Sequence, residues 1–101
     1  MQLVSFGKIT VTTSGTPVAV TVDQGLFASK ITFRPASANS GITKVLDNAG
    51  NIAAELQKPA SGHTDEFCVG GGDGGNSVQL SQFKLDAATS GDGMYVSYEV
   101  K

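Results

Sequence analysis

Tryptophan is absent from the chain, cysteine occurs once in its 101 residues, and aromatic residues make up only 7% of it. A lone cysteine excludes an internal disulfide and a zinc site built from cysteines. Without tryptophan, an aromatic platform on which sugars or bases would stack is not expected. Any binding by this chain must therefore rely on another kind of surface.

Charge is also scarce, since charged residues account for 16% of the chain against a usual level of about 25%. The seven basic residues stand singly along the sequence, and the formal net charge is −2. Nucleic-acid binding needs a concentrated basic patch that displaces counterions from phosphates, so no nucleic-acid partner is predicted. Ser, Thr, Asn, Gln and Gly fill the surface instead, and such a surface suits burial against partner subunits.

Long apolar runs are missing as well. No stretch approaches the ~20 residues that a membrane span needs, so no membrane association is predicted. Residues 1–6 carry neither the basic segment nor the apolar segment of a secretory signal. We therefore expect a protein that is made and folded in a reducing cytoplasm.

Alternation of apolar and polar residues with a period of two recurs along the chain, rich in Val, Ile, Thr, Phe and Tyr. Length and pattern predict one all-β domain over residues 1–101, an antiparallel β-sandwich of jelly-roll or Greek-key type with about eight short strands. The expected strands cover residues 3–12, 18–22, 30–34, 42–46, 52–57, 66–69, 78–80, 83–85 and 94–100. A helix over 52–58 is the competing interpretation, but that stretch is too short for an independent helix.

The same alternation predicts which side chains share a face. In the first strand, Ile9 and Val11 should point one way and Phe6 the other. In the final strand, Tyr95 and Tyr98 should lie on opposite faces, one packed inward and one available to solvent or a partner. The second strand should place three valines on one face, Val18, Val20 and Val22.

Two segments resemble cofactor or metal loops without meeting the requirements of either. Gly70, Gly72 and Gly75 match the G-x-G-x-x-G spacing of a dinucleotide-binding turn, but no helix is predicted after them to hold a pyrophosphate. Asp73 and Asp47 lie in segments without the alternating acidic ligands and terminal glutamate of a calcium loop. No cofactor and no metal are predicted, and turn formation explains both segments.

Catalytic groups are not predicted either. His63, the only histidine, has Asp65 and Glu66 close by, but acid–base catalysis also needs a nucleophile in a rigid pocket. The turn-like segment 61–64 predicts a solvated histidine instead. Cys68 lies in an expected strand, where a small buried residue is a better interpretation than a reactive thiol. We therefore predict no enzymatic activity.

Residues 85–98, LDAATSGDGMYVSY, resemble the end of small structural proteins of tailed bacteriophages. In those proteins a short strand, a spacer of small residues, a GDG turn and a tyrosine-containing strand close the domain. Residues 7–21, GKITVTTSGTPVAVT, are similar to their first hairpin. The resemblance spans most of the chain and implies a virion protein, first of all a capsid decoration (cement, head-stabilising) protein. A tail- or fibre-associated β-sandwich binding module, for example one that recognises carbohydrate, is the alternative.

The resemblance also implies partners and a location. The partners would be the major capsid protein or other virion proteins, with self-association in which a trimer is favoured, and the location would be the virion. Leu26 and Phe27, two large apolar residues in an expected loop, should either tuck under the sandwich or form an exposed anchor. The candidate partner contacts are Leu3, Phe6, Leu26, Phe27, Gly72 and Asp73.

Overall fold

The computed structural model describes residues 2–60, 63–70 and 75–101. Within these ranges there are ten strands, one short 3-10 turn (Leu80–Gln82) and no α-helix. The strands are β1 (Gln2–Thr10), β2 (Val18–Ala19), β3 (Phe27–Ala28), β4 (Lys30–Pro35), β5 (Thr43–Leu46), β6 (Ile52–Leu56), β7 (Phe67–Val69), β8 (Val78–Gln79), β9 (Lys84–Ala87) and β10 (Gly93–Val100). The expected all-β fold is confirmed, and the helical interpretation of residues 52–58 is wrong.

The strands form two four-stranded antiparallel sheets and one two-stranded pair. The front sheet has the order β1-β10-β4-β7, the back sheet has the order β2-β9-β5-β6, and β3 pairs with β8. Five pairs are therefore nested: β1 with β10, β2 with β9, β3 with β8, β4 with β7, and β5 with β6. The chain is one long hairpin rolled into two layers, which is the jelly-roll arrangement of a β-sandwich.

Alternating side chains of both sheets fill the space between the layers. The front sheet contributes Ile31, Phe33 and Val96, and the back sheet contributes Val45 and Leu85, all of them fully buried. These positions follow the period of two, because successive side chains on a strand point to opposite faces. A single apolar core holds the two sheets together. Each Å² of apolar surface that is removed from water contributes about 25 cal/mol to the free energy of folding.

A β-bulge in β1 overturns the expected placement of Phe6. The register with β10 shifts between Ser5 and Gly7, where Gly7 has a φ of 72° and donates its N–H to Ser5 Oγ at 2.9 Å. The extra residue resets the alternation, so Phe6 and Ile9 both pack against the core instead of pointing to opposite faces. Phe6 also contacts Tyr98, with a distance of 5.1 Å between the ring centroids.

The segment 90–93 ties three distant parts of the chain together. The buried Asp92 carboxylate accepts backbone N–H bonds from Ser40 and Gly41 at 3.0 Å. Asn39 exchanges two hydrogen bonds with the backbone of Gly93, at 2.8 and 2.9 Å. The end of β1 is bound as well, because the N–H of Val11 donates to the carbonyl of Asp92 at 2.8 Å. This turn therefore fixes the loop after β4 against the start of β10.

Candidate functional site

The rolled hairpin gives the sandwich two distinct ends. At the first, which we call the Phe27 end, lie the start of β1, the end of β10, the β3–β8 pair and the turn 47–51 between β5 and β6. At the second, which we call the Asp92 end, lie the loops 11–17, 36–42 and 88–92. At that end, backbone N–H and carbonyl groups take part in the hydrogen bonds around Asp92.

Exposed apolar side chains collect at the Phe27 end. Five large hydrophobic residues are exposed among those that the structure describes: Leu3 (67%), Val22 (91%), Phe27 (41%), Ile52 (54%) and Tyr95 (50%). Four of the five lie at the Phe27 end, and only Tyr95 lies elsewhere, near the start of β10 on the outer face of the front sheet. Large apolar side chains that are exposed at one end of a domain are candidate contacts with a partner.

The two residues Leu26 and Phe27 have different environments. Leu26 packs against the core, and its carbonyl accepts the N–H of Leu80 at 3.1 Å. Phe27 begins a short strand that the sequence did not predict, pairs with Gln79 and keeps its side chain exposed. Because side chains alternate along an extended segment, one residue of the pair tucks inward while the next points to solvent.

Val22 does not share the buried face of Val20, contrary to the expectation from alternation. Strand β2 ends at Ala19, and a turn follows in which Gly25 donates its N–H to Asp23 Oδ1 at 2.9 Å. The extended pattern is broken before Val22, so its side chain is exposed. Val22 and Ile52 are thus candidate contacts that sequence reasoning missed, since alternation assigned Val22 to a shared face with Val18 and Val20 and nothing in the sequence singled out Ile52.

The other predicted contacts are placed as follows. Leu3 lies on the outer face of β1, opposite Glu99 of β10, and Phe6 is half-buried at the bulge. Gly72 and Asp73 lie outside the described residues. Gly70, just before them, lies so close to the chain that a Cβ there would come within 2.4 Å of the carbonyl oxygen of Ser29. The start of this glycine segment is therefore packed beside the β3–β8 pair.

Most side chains on the outer face of the front sheet are polar. Arg34 Nε donates to Glu66 Oε2 at 2.9 Å, and this guanidinium holds the pKa of the Glu66 carboxyl below its usual value. Cys68 lies on this face and is exposed, so the expectation of a buried cysteine is wrong. Its thiol donates to Glu66 Oε1 at 3.4 Å and lies 3.6 Å from Thr32 Oγ1. Strand β7 is at the sheet edge, and the alternation there turns Cys68 outward.

His63 and Asp65 do form a pair, on an exposed loop. His63 Nε2 lies 2.6 Å from Asp65 Oδ1, and Asp65 Oδ2 accepts the N–H of Gln57 at 2.7 Å. These bonds hold the pKa of the Asp65 carboxyl below its usual value, with the Gln57 N–H as the largest cause and the His63 side chain next. The arrangement joins the end of β6 to the loop that precedes β7, which is a structural role.

Enclosed sites are absent from the part of the chain that the structure describes. No pocket was found there, and no group of three or more His, Cys, Asp or Glu side chains has the geometry to hold a metal ion. Within residues 2–60, 63–70 and 75–101, no helix is long and apolar enough to cross a membrane.

Comparison of the chain with protein-family models, with curated proteins and with solved structures found no match.

Proposed function

We propose that this chain is a virion structural protein, a capsid decoration protein that binds the outer surface of a phage head and stabilises it. The observation that carries the proposal is the Phe27 end of the sandwich, where Leu3, Val22, Phe27 and Ile52 are exposed. A single domain that keeps large apolar side chains in solvent gains stability when a partner covers them. The major capsid protein is the partner that we propose.

Rigidity supports the same proposal. The core is shared by both sheets, and the Asp92 end is cross-linked by hydrogen bonds between distant segments. A rigid domain loses little conformational entropy when it binds, which favours a protein whose role is to hold neighbouring subunits in place. Each contact can be weak, because several contacts across one assembled surface raise the effective concentration of the next.

Binding to phage heads tests this proposal directly. The purified chain is mixed with virions and with expanded empty heads of the phage that encodes it, and bound protein is measured by co-sedimentation. We expect saturable binding to empty heads and a rise in their thermal stability. Replacing both Val22 and Phe27 by serine should weaken binding at least about tenfold, because central apolar anchors carry most of the binding free energy.

The control is Tyr95→Ser, which removes an aromatic side chain that is 50% exposed, against 41% for Phe27, and that lies away from the Phe27 end. Its binding to heads should equal that of the unmodified chain, and circular dichroism should show that all variants are folded. Binding to tails or to host glycans without binding to heads would contradict the proposal and favour a tail-associated module. If Tyr95→Ser and the double variant lost the same amount of head binding, the assignment of the Phe27 end as the binding surface would be contradicted.

A further inference from the structure

The four edges of the two sheets differ in how well they are protected against strand addition. Strand β2 has two residues and β7 has three, so neither can template a long pairing. Strand β6 has five residues, with the charged Glu55 among them and a register shift in its pairing with β5. Strand β1 is an edge of nine residues, by far the longest. The β1 edge is therefore where another strand can add.

Only the second half of β1 has features that protect it against strand addition. The bulge at Phe6 and Gly7 interrupts the edge, and Lys8 follows it as the only charged residue of the strand. Bulges and lysines are the devices that natural edges use to prevent pairing. Residues 2–6, the sequence Gln-Leu-Val-Ser-Phe, carry no charge and run up to the bulge, whose first residue is Phe6. This segment, which we call the open edge, is unprotected.

We propose that the open edge pairs with the open edge of a second copy of this chain, antiparallel and about a twofold axis at Val4. In that register Val4 lies opposite Val4 of the other copy, Leu3 lies opposite Ser5, and Gln2 lies opposite Phe6. The two front sheets then form one continuous eight-stranded sheet, which uses the backbone groups that each β1 strand directs away from β10.

The charge pattern of β1 favours a second copy as the occupant, because residues 2–6 are uncharged and meet no like charge in an identical edge. In the β1–β10 register, Val4 lies opposite Tyr98 and Leu3 lies opposite Glu99, so Val4 is on the core-side face and Leu3 on the outer face. Residues that are directly opposite in an antiparallel pair share a face, so the twofold axis at Val4 places Val4 against Val4 on the core-side face and Leu3 against Ser5 on the outer face. Lys8 lies beyond the paired segment, so no like charges face each other.

Two double variants test the register and differ at one position. Leu3→Lys with Ser5→Lys places lysine opposite lysine twice across the twofold axis, whereas Leu3→Lys with Ser5→Glu places lysine opposite glutamate twice. Both variants lose the bond from Gly7 N–H to Ser5 Oγ, so that loss cancels in the comparison. Sedimentation equilibrium up to about 1 mM protein should show a concentration-dependent dimer for the unmodified chain and for the lysine–glutamate variant. The lysine–lysine variant should dimerise at least about tenfold more weakly.

A cross-linking experiment keeps the proposal testable if those variants fold poorly. With Cys68→Ser in the background, Val4→Cys should form a disulfide-linked dimer under mild oxidation, because directly opposite residues of antiparallel strands lie within disulfide range. Lys8→Cys in the same background is the control and should stay monomeric.

A monomer at every concentration, equal dimerisation of the two double variants, or a trimer that is insensitive to both would overturn the proposal. The pairing does not depend on the proposed function, because head binding and self-association are measured separately. Loss of either result leaves the other standing.

Discussion

Asp65 shows how one exposed carboxylate can connect two elements. It accepts the N–H of Gln57 and contacts His63, and both interactions favour its ionised form. Because its pKa in the folded protein is lower than in the unfolded chain, the stability that it contributes is fully present above the unfolded value. That contribution is lost as the pH falls through the lower folded value.

We expect Asp65→Asn to lower the free energy of unfolding at pH 7 and to lose this effect in strong acid, where the native carboxyl is protonated as well. Urea denaturation at pH 7 and at about pH 2 measures the difference in free energy of unfolding between the variant and the unmodified chain, with the Asp65 carboxyl ionised and protonated respectively. His63→Gln is the comparison, and it should have the smaller effect because the Gln57 N–H is the larger cause of the low pKa. A deficit of Asp65→Asn that is the same at both pH values would contradict this account.

Individual residues also show where sequence reasoning fails. Val22 and Phe6 were each assigned to a face by counting alternate positions along an assumed strand. A turn after β2 leaves Val22 exposed, and a bulge in β1 places Phe6 against the core. Alternation predicts a face only while the strand continues without interruption, and the interruptions depend on contacts with distant segments.

At the scale of elements, the segment Ser90–Gly93 is more than a turn between two strands. Gly93 lies directly against β1, where an added Cβ would come within 2.4 Å of the carbonyl oxygen of Ile9 and 3.1 Å of Thr10 Cα. Both neighbours are backbone atoms of the adjacent strand, so relief requires β1 and β10 to separate. Gly91 has a φ of 94° and open space around the Cβ position. The two glycines are required for different reasons.

We therefore expect Gly93→Ala to be more destabilising than Gly91→Ala. The first change forces two paired strands apart and disturbs the hydrogen bonds to Asn39, at a cost of about 3 kcal/mol or more. The second places alanine in a left-handed conformation, at a cost of about 1–2 kcal/mol. Chemical denaturation of the two variants gives both values. Equal costs would mean that the approach of β1 does not constrain Gly93.

Most of the elements themselves were predictable. Strands β4 and β10 and the hairpin of β5 and β6 lie within one or two residues of their expected positions, because each shows clear alternation between strong turn signals. Strand β3 was not predicted, since two residues carry too little pattern to distinguish a strand from a loop. Its existence depends on β8, from which it is separated by about half the chain.

At the scale of the whole molecule, the nested pairing makes a prediction about connectivity. Gln2 and Val100 are paired neighbours, and the turn 47–51 at the tip of the rolled hairpin is stabilised locally, with Asp47 Oδ1 accepting the N–H groups of Ala49 and Asn51 at 2.9 Å. The ends can therefore be joined by a short linker, and the chain can be opened at the tip without breaking a long-range contact.

A circular permutant opened between Asn48 and Ala49 should fold to the same structure with a modest loss of stability. A permutant opened between Gly91 and Asp92 is the matched control, and it should be far less stable because bonds to β1 and to the loop after β4 depend on that segment. Thermal unfolding and amide NMR spectra distinguish these outcomes. Comparable stability of the two permutants would contradict the role assigned to the Asp92 end.

Composition and alternation determined that this chain forms an all-β fold, because the period of two and the spacing of turns are local properties that any single strand displays. The choice of jelly roll, the exposure of Val22 and Ile52 and the position of the open edge of β1 were decided only by the tertiary structure. Each depends on which segments pair across long separations in sequence, and pairing is a property of two segments together. For the same reason the apolar end became visible only when the rolled hairpin brought its four exposed side chains to one end of the molecule.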